Sequence, residues 1–391
     1  MTRRFNDVGS CNPLIHYTVN IQERLEKIKH LVDAGAYFTI NRARQYGKTT
    51  TLAALEKYLA EEYVVISLDF QMIGNAKFET EESFTRVFAN LMLRAVKNRV
   101  KPVEDIGISI LSEIAESARK ESSFALDDMF QLLSEFCAKV SQPVVLIIDE
   151  VDSATNNQVF LDFLAQLRAY YLERTNRNTP TFQSVILAGV YDVKNIKRKL
   201  RSDEEHKMNS PWNIATDFKI DMSFSEQEIA GMLAEYEEDY HTGMNLELLA
   251  GLLFEYTDGY PFLVSKICKL IDESIAGSER FPDKHTAWSR EGFLEAVKIL
   301  LTEKNTLFES LMGKLTDSPE LSEVVYAILF SGDRMIYSPD EPWIDMAMMF
   351  GFVKNKDGNV VIANRIFETR LYNYFISEKV YGDRILVEAV V

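Results

Sequence analysis

Two short groups of residues, far apart in the chain, carry side chains that could do chemistry together. The first is Gly47-Lys48-Thr49, inside "TINRARQYGKTTTL". A glycine lets backbone amides close around an anion, a lysine beside it reaches the outer phosphates of a polyphosphate, and a threonine hydroxyl can ligate Mg²⁺. The second is Asp149-Glu150, at the end of "PVVLIIDEVD". Asp149 is placed to hold Mg²⁺, directly or through water, and Glu150 to polarise an attacking water. This is the equipment of phosphoryl transfer. One position departs from the usual GxxxxGK[ST] pattern: the first glycine is replaced by Arg42.

The elements needed to position these groups can be read around them. An apolar strand, Tyr37 to Ile40, leads into the first group, and a helix from about Thr50 to Leu59 leads out of it. The phosphate loop therefore sits at a strand–helix junction, where the helix N-terminus adds its free amides. Val144 to Ile148 are five consecutive aliphatic residues bounded by polar ones. Such a run predicts a strand buried on both faces of a parallel sheet, with ligands at its C-terminal end. Further strands are predicted at Tyr63–Phe70, Ser184–Gly189 and Asp217–Asp221. Helical patterns lie between them at Phe84–Val96, Leu126–Val140 and Val159–Tyr171. Alternating strands and helices predict an α/β fold, a doubly wound parallel sheet.

Composition bounds the rest. The 391 residues exceed what one hydrophobic core usually organises, so two or three domains are expected. The formal charge of −16 repels a phosphate backbone on average, so a nucleic-acid partner would need a local basic patch. No apolar run reaches membrane-helix length, the N-terminus lacks a signal-peptide core, and the three cysteines share no metal-ligand spacing. These features give the expectation of a soluble cytoplasmic protein with no membrane partner.

From Ser225 to about Leu301 the pattern turns helical, beginning with a Ser225 cap and continuing through Leu246–Tyr256 and Phe262–Ser274. After Leu307 come helix "SEVVYAILF", helix "PWIDMAMMF", strands flanking Asp357-Gly358, and helix "RIFETRLYNYFI". Asp-Gly between alternating strands predicts a tight hairpin, and the whole is the outline of a winged helix. The expected division is 1–222 for the α/β core, 223–305 for a helical lid and 306–391 for the winged-helix-like domain.

In this order the segments resemble the bacterial AAA-like ATPases, near the STAND and archaeal-ATPase branches of P-loop NTPases. "INRARQYGKTT" is similar to their variant P-loops and "LIIDEVD" to their Walker B strand. "TDGYPFLVSKIC" is similar to the GxP motif of their lid, with Gly259-Tyr260-Pro261, and "HYTVNIQERLEKI" stands where relatives contact the base. The resemblance implies ATP and Mg²⁺ as cofactors. Arg44, Gln45, Tyr46, Gly47, Lys48, Thr49, Thr50, Tyr17 and Pro261 would hold the nucleotide. Thr49 and Asp149 would hold the metal, and Glu150 and Lys48 would act on the γ-phosphate. It also implies an arginine finger, for which the basic run Lys194 to Arg201 offers Arg198, while the sensor position falls on Tyr191 or Asp192. Against this, Arg42, Arg44 and the basic run can equally be solvated surface charges. The long segment Arg201 to Phe218 either moves, binds, or is loose surface.

Three functions stay open: a slow ATP-hydrolysing switch, a nucleotide-binding scaffold with little hydrolysis, and a DNA-associated ATPase. Residues 318–391 carry 11 acidic against 7 basic residues, and "PWIDMAMMF" carries no lysine or arginine. A groove-reading helix needs such side chains, so the winged helix points to a protein partner or a second copy more than to nucleic acid.

Overall fold

The structure, a computed structural model, describes residues 3–99, 103–120, 123–191, 212–330, 335–338 and 340–389, with side chains up to 378. The chain divides into two compact units. One comprises residues 22–42 and 51–221; the other comprises 1–21, 43–50 and 222–391.

The first unit is built on a four-stranded parallel sheet in the order β1-β4-β3-β2, formed by β1 (Phe38–Asn41), β2 (Val64–Asp69), β3 (Val144–Asp149) and β4 (Ser184–Gly189). β3 and β4 are buried along their whole length, as their unbroken aliphatic runs require. Around them lie α1 (Gln22–Asp33), α2 (Lys48–Leu59, its first turn in the other unit), α3 (Glu81–Lys97), α4 (Asp105–Lys120), α5 (Leu126–Lys139) and α6 (Gln158–Arg177). α1 ends at Gly35, whose φ of 70° is open to glycine at little cost. The core includes six mutually packed phenylalanines: Phe70, Phe78, Phe84, Phe88, Phe160 and Phe163.

Two expectations for this unit change. Asp217–Asp221 is not a strand. Thr216 makes a single parallel bridge to Phe38, and its amide donates to the Tyr37 carbonyl at 2.8 Å. The residues beyond it are exposed or half-buried, with little apolar surface to hold a longer edge pairing. The Trp212 end of the polar segment is neither loose nor exposed. The indole is fully buried, stacks 6.0 Å from the Tyr37 ring, and donates Nε1 to Thr39 Oγ1 at 2.8 Å.

The second unit contains α7 (Glu226–Tyr240), α8 (Leu246–Thr257), α9 (Pro261–Leu270), α10 (Arg290–Thr302), α11 (Thr306–Asp317), α12 (Pro319–Phe330), α13 (Pro342–Phe350) and α14 (Arg365–Ala389). A three-stranded antiparallel sheet joins them in the order β5-β7-β6, from β5 (Met335–Ile336), β6 (Val353–Lys356) and β7 (Asn359–Ile362). Ser225 caps α7 in a reciprocal box with Glu228. Lys356 pairs with Asn359 across a two-residue turn in which Asp357 and Gly358 have φ of 52° and 82°. Both left-handed values make it the hairpin turn that Asp-Gly predicts. The α12, α13, hairpin and α14 arrangement is winged-helix-like.

The N-terminal segment belongs to this second unit. Phe5 and Tyr17 are buried beside Tyr236 and Trp288, with ring centroids 5.1–5.7 Å from Phe5. Arg3 pairs with Asp239 and Glu235, and Asp7 with Lys266 and Lys269. Among the described residues no helix is long and apolar enough to cross a membrane.

Candidate functional site

The phosphate loop begins where β1 ends. Arg42 still belongs to the sheet: its amide donates to the Gly189 carbonyl at 3.2 Å, and its guanidinium donates to the Asn41 and Ile220 carbonyls, both at 2.8 Å, lying 5.4 Å from the Phe218 ring. The side chain that replaces the first glycine is thus turned back along the sheet edge.

Residues 43–50 group with the lid and winged-helix segments. Gln45 and Gly47 are both left-handed, with φ of 57° and 78°. For Gln45 this is an uncommon conformation, and such residues cluster at ligand sites. A Cβ at Gly47 would sit 3.8 Å from Pro261, in ordinary contact, so its φ rather than its neighbours selects glycine. Lys48, the first residue of α2, is buried at 7% exposure and donates Nζ to the Ala43 carbonyl at 3.0 Å. Thr50 Oγ1 accepts from the Cys11 amide at 3.0 Å.

Lid residues hold the loop in place. Tyr260 donates its hydroxyl to the Arg44 carbonyl, and its ring meets Tyr46 edge-on at 4.7 Å. Tyr260 is buried, and desolvation raises its pKa well above the ordinary phenol value, so it remains a donor. Pro261 opens α9 next to Gly47, as expected for a proline at a first helical position. The α11 residues contribute too: Gln45 Nε2 donates to Thr306 Oγ1 at 3.0 Å, and Arg44 reaches Ser310 Oγ at 3.5 Å. Gly351, after α13, comes so close that a Cβ there would lie 2.8 Å from the Ala43 Cβ. Thr306, Ser310 and Gly351 carry no sequence signal for this role, because packing across long separations brings them to the loop.

Of the expected nucleotide residues, the structure thus brings Arg44, Gln45, Tyr46, Gly47 and Pro261 into one cluster. Tyr17 lies elsewhere in the same unit, 1% exposed, donating to Asp239 Oδ2 at 2.7 Å with the Arg3 guanidinium 4.7 Å over its ring. Burial first, then the Asp239 hydrogen bond, push its pKa up.

The acidic pair lies in the sheet unit. Asp149 is the last residue of β3, 8% exposed, and its Oδ1 accepts from the Glu150 amide at 2.9 Å. Glu150 is left-handed, with φ 54° and ψ 41°. A non-glycine residue held there costs about 1–3 kcal/mol and persists only where its surroundings enforce it. Enforcement comes from Asp149 and from Ser153, whose amide and hydroxyl reach the Glu150 carbonyl at 3.3 and 3.0 Å. The Glu150 carboxylate is thus carried on a strained turn just past the end of β3.

The Asp149 carboxylate offers oxygen ligands, which suit a hard cation such as Mg²⁺. Among the described residues no group of three or more His, Cys, Asp or Glu could hold a metal by itself. Arg198, with the rest of Lys194 to Arg201 and Asp192, lies outside the described residues.

A Walker-type ATPase of Pyrococcus abyssi has a similar fold, with a TM-score of 0.59 at 14% identity over 94% of this chain and 99% of that one. The ORC2 protein of Aeropyrum pernix, solved as ADPNP–ADP complexes, aligns with a TM-score of 0.45 at 13% identity over 91% and 93% of the two chains. By sequence, an uncharacterised WD repeat-containing protein of Synechocystis is 21% identical over 276 residues, 68% of this chain. The chain spans about a fifth (21%) of that protein's length. The family pattern described as the AAA-like domain matches residues 17–373. With its phosphate loop, parallel α/β core and winged-helix-like C-terminal part, the chain belongs to the AAA-like domain family of P-loop ATPases.

Proposed function

We propose that the protein binds ATP with Mg²⁺ on the 43–50 loop and hydrolyses it slowly, using the energy of nucleotide binding to reset its lid and winged-helix-like region. The observation that carries this reading is the loop itself. A left-handed Gly47 precedes Lys48 and Thr49 at a helix N-terminus, and the same loop is gripped by Tyr260, Pro261 and Thr306. The N-terminus of α2, with its partial positive charge, suits phosphate oxygens. Lys48 would exchange the Ala43 carbonyl for a phosphate oxygen, and Thr49 with Asp149 would hold Mg²⁺, which neutralises charge on the phosphates. Glu150 would accept a proton from water as its oxygen attacks the γ-phosphorus. The bond to the bridging oxygen breaks, leaving ADP and phosphate.

The switch follows from the grip. Phosphates settling into the loop bear on Arg44 and Gln45, whose carbonyl and side chain touch Tyr260 and Thr306. A ligand shifts a conformational equilibrium only by differential contact with its states, and these contacts supply it. Division into a core (1–222), a lid (223–305) and a winged-helix-like domain (306–391) suits that role. α13 buries Ile344 and Ala347 and presents no basic side chain, which supports a protein partner or a second copy over nucleic acid. Phosphate release at saturating ATP-Mg²⁺, measured for wild type and Glu150→Gln, tests the enzymatic step. Equal, near-background rates would refute it, and absence of nucleotide binding in a titration would refute the whole reading.

A further inference from the structure

Three carboxylates crowd the end of β3, and the proposed chemistry uses only Asp149 and Glu150. The third, Asp152, is committed to a neighbouring strand. Its Oδ2 accepts from the Val190 amide at 2.7 Å and its Oδ1 from the Tyr191 amide at 2.9 Å. Both oxygens are thus spent on consecutive backbone donors just past β4. Such charge-assisted bonds are roughly twice as strong as neutral ones. The fit is tight: a Cβ on Gly189 would lie 2.6 Å from Asp152 Oδ1 and 3.1 Å from Val151 Cγ2. Gly189 therefore has no side chain because the carboxylate occupies its place, and its φ is not left-handed.

What these bonds join matters more than their strength. β4 lies between β3, which leads to Glu150, and β1, which leads to the phosphate loop. The β3–β4 ladder ends at Ile148 with Leu187, before Asp149 is reached. On the other side, Gly189 pairs with Asn41, and its carbonyl accepts from the Arg42 amide. Beyond the ladder, the link from the strained Glu150 turn to the root of the loop runs through Asp152, the Val190 and Tyr191 amides, Gly189 and Arg42.

We propose that Asp152 is a positioning residue for hydrolysis: its carboxylate fixes the β4 tip against the Glu150 turn. Glu150 is thereby held at a set distance from the root of the phosphate loop. This rests on the ATPase reading above. A general base displaced by an ångström loses orders of magnitude in rate while ground-state binding survives.

The test is steady-state ATP hydrolysis and nucleotide Kd for wild type, Glu150→Gln, Asp152→Asn, Gly189→Ala and the double variant. In Asp152→Asn one acceptor oxygen becomes an NH₂ facing an N–H, so one of the two bonds is lost without a change of shape. Gly189→Ala pushes the same carboxylate from the opposite side. Each is expected to lower kcat about 10- to 100-fold with Kd held within about twofold, and the double variant to fall no lower than the worse single one. A purely structural role predicts otherwise: a lower melting temperature and fewer binding-competent molecules, but unchanged kcat per bound nucleotide. That result in either soluble variant overturns the proposal. If wild type hydrolyses and both variants match it, only the positioning role falls. If wild type does no better than Glu150→Gln, the ATPase reading falls and takes this proposal with it.

Discussion

Gly259→Ala separates backbone freedom from close packing at the lid, and its effect can be worked out from geometry. Gly259 has φ 69° and follows Asp258, itself left-handed at 51°. The Phe224 amide donates to the Gly259 carbonyl at 2.8 Å, which brings two backbone segments together. A Cβ on residue 259 would lie 2.0 Å from the Phe224 carbonyl oxygen and 2.7 Å from its nitrogen. Since real contacts essentially never fall below 3.0 Å, the segments must part by at least 1.0 Å. The left-handed conformation costs an alanine about 1 kcal/mol. Forcing the segments apart adds about 1–3 kcal/mol, and weakening the Phe224 bond about 1 kcal/mol. The expected loss is about 3–5 kcal/mol.

Gly277→Ala is the internal control. Its φ is 87°, yet nothing lies within 4 Å of the new Cβ, so only the conformational cost of about 1 kcal/mol applies. For a unit of roughly 200 residues each kcal/mol moves the melting temperature by about 2–4 °C. Thermal unfolding followed by circular dichroism should then show a drop of about 10 °C for Gly259→Ala and about 3 °C for Gly277→Ala. Equal drops would refute the close approach of residues 224 and 259. Because Tyr260 follows directly and its hydroxyl binds the Arg44 carbonyl, Gly259→Ala should also weaken nucleotide binding, and Gly277→Ala should not.

Three further expectations can be checked alongside. Trp212→Phe removes the Nε1 bond to the buried Thr39 hydroxyl and leaves a void at a fully buried site, for a loss of about 2–4 kcal/mol in urea unfolding. Tyr260→Phe deletes the donor to the Arg44 carbonyl, which should lower nucleotide affinity about five- to tenfold in titration and the melting temperature by about 2–4 °C. Burial alone would raise the Asp7 pKa, but hydrogen bonds and charge from Lys269 and Lys266 outweigh it and hold the carboxyl below its ordinary 3.8. A carboxylate depressed in the folded state stabilises it above the unfolded pKa, and that contribution disappears as pH falls through the depressed value. Stability should therefore drop below about pH 4, and in Asp7→Asn that acid limb should flatten.

What was legible in the sequence shares one property: it depends on neighbours along the chain. Val144 to Ile148 announce a central strand because burial on both faces demands an unbroken apolar run, and Asp357-Gly358 announce a hairpin because two left-handed residues are needed there. Gly47-Lys48-Thr49 announce a phosphate loop for the same local reason. What was not legible is settled by partners far away in sequence. Trp212, next to a proline in a polar stretch, is core because Thr39, 173 residues earlier, and the nearby Tyr37 ring wait for it. Thr306 and Gly351 give no sign that they meet the loop, and Arg42 gives none that it turns toward Ile220. Asp152 stands between these cases. It is visible as the last letter of "DEVD", where an acid after a strand reads as solvent-facing, yet its carboxylate carries the β3–β4 connection past the end of their ladder. A third acid near a Walker B strand is therefore informative when a glycine ends the neighbouring strand: the glycine makes room for the carboxylate, and the pair can be sought together in a sequence.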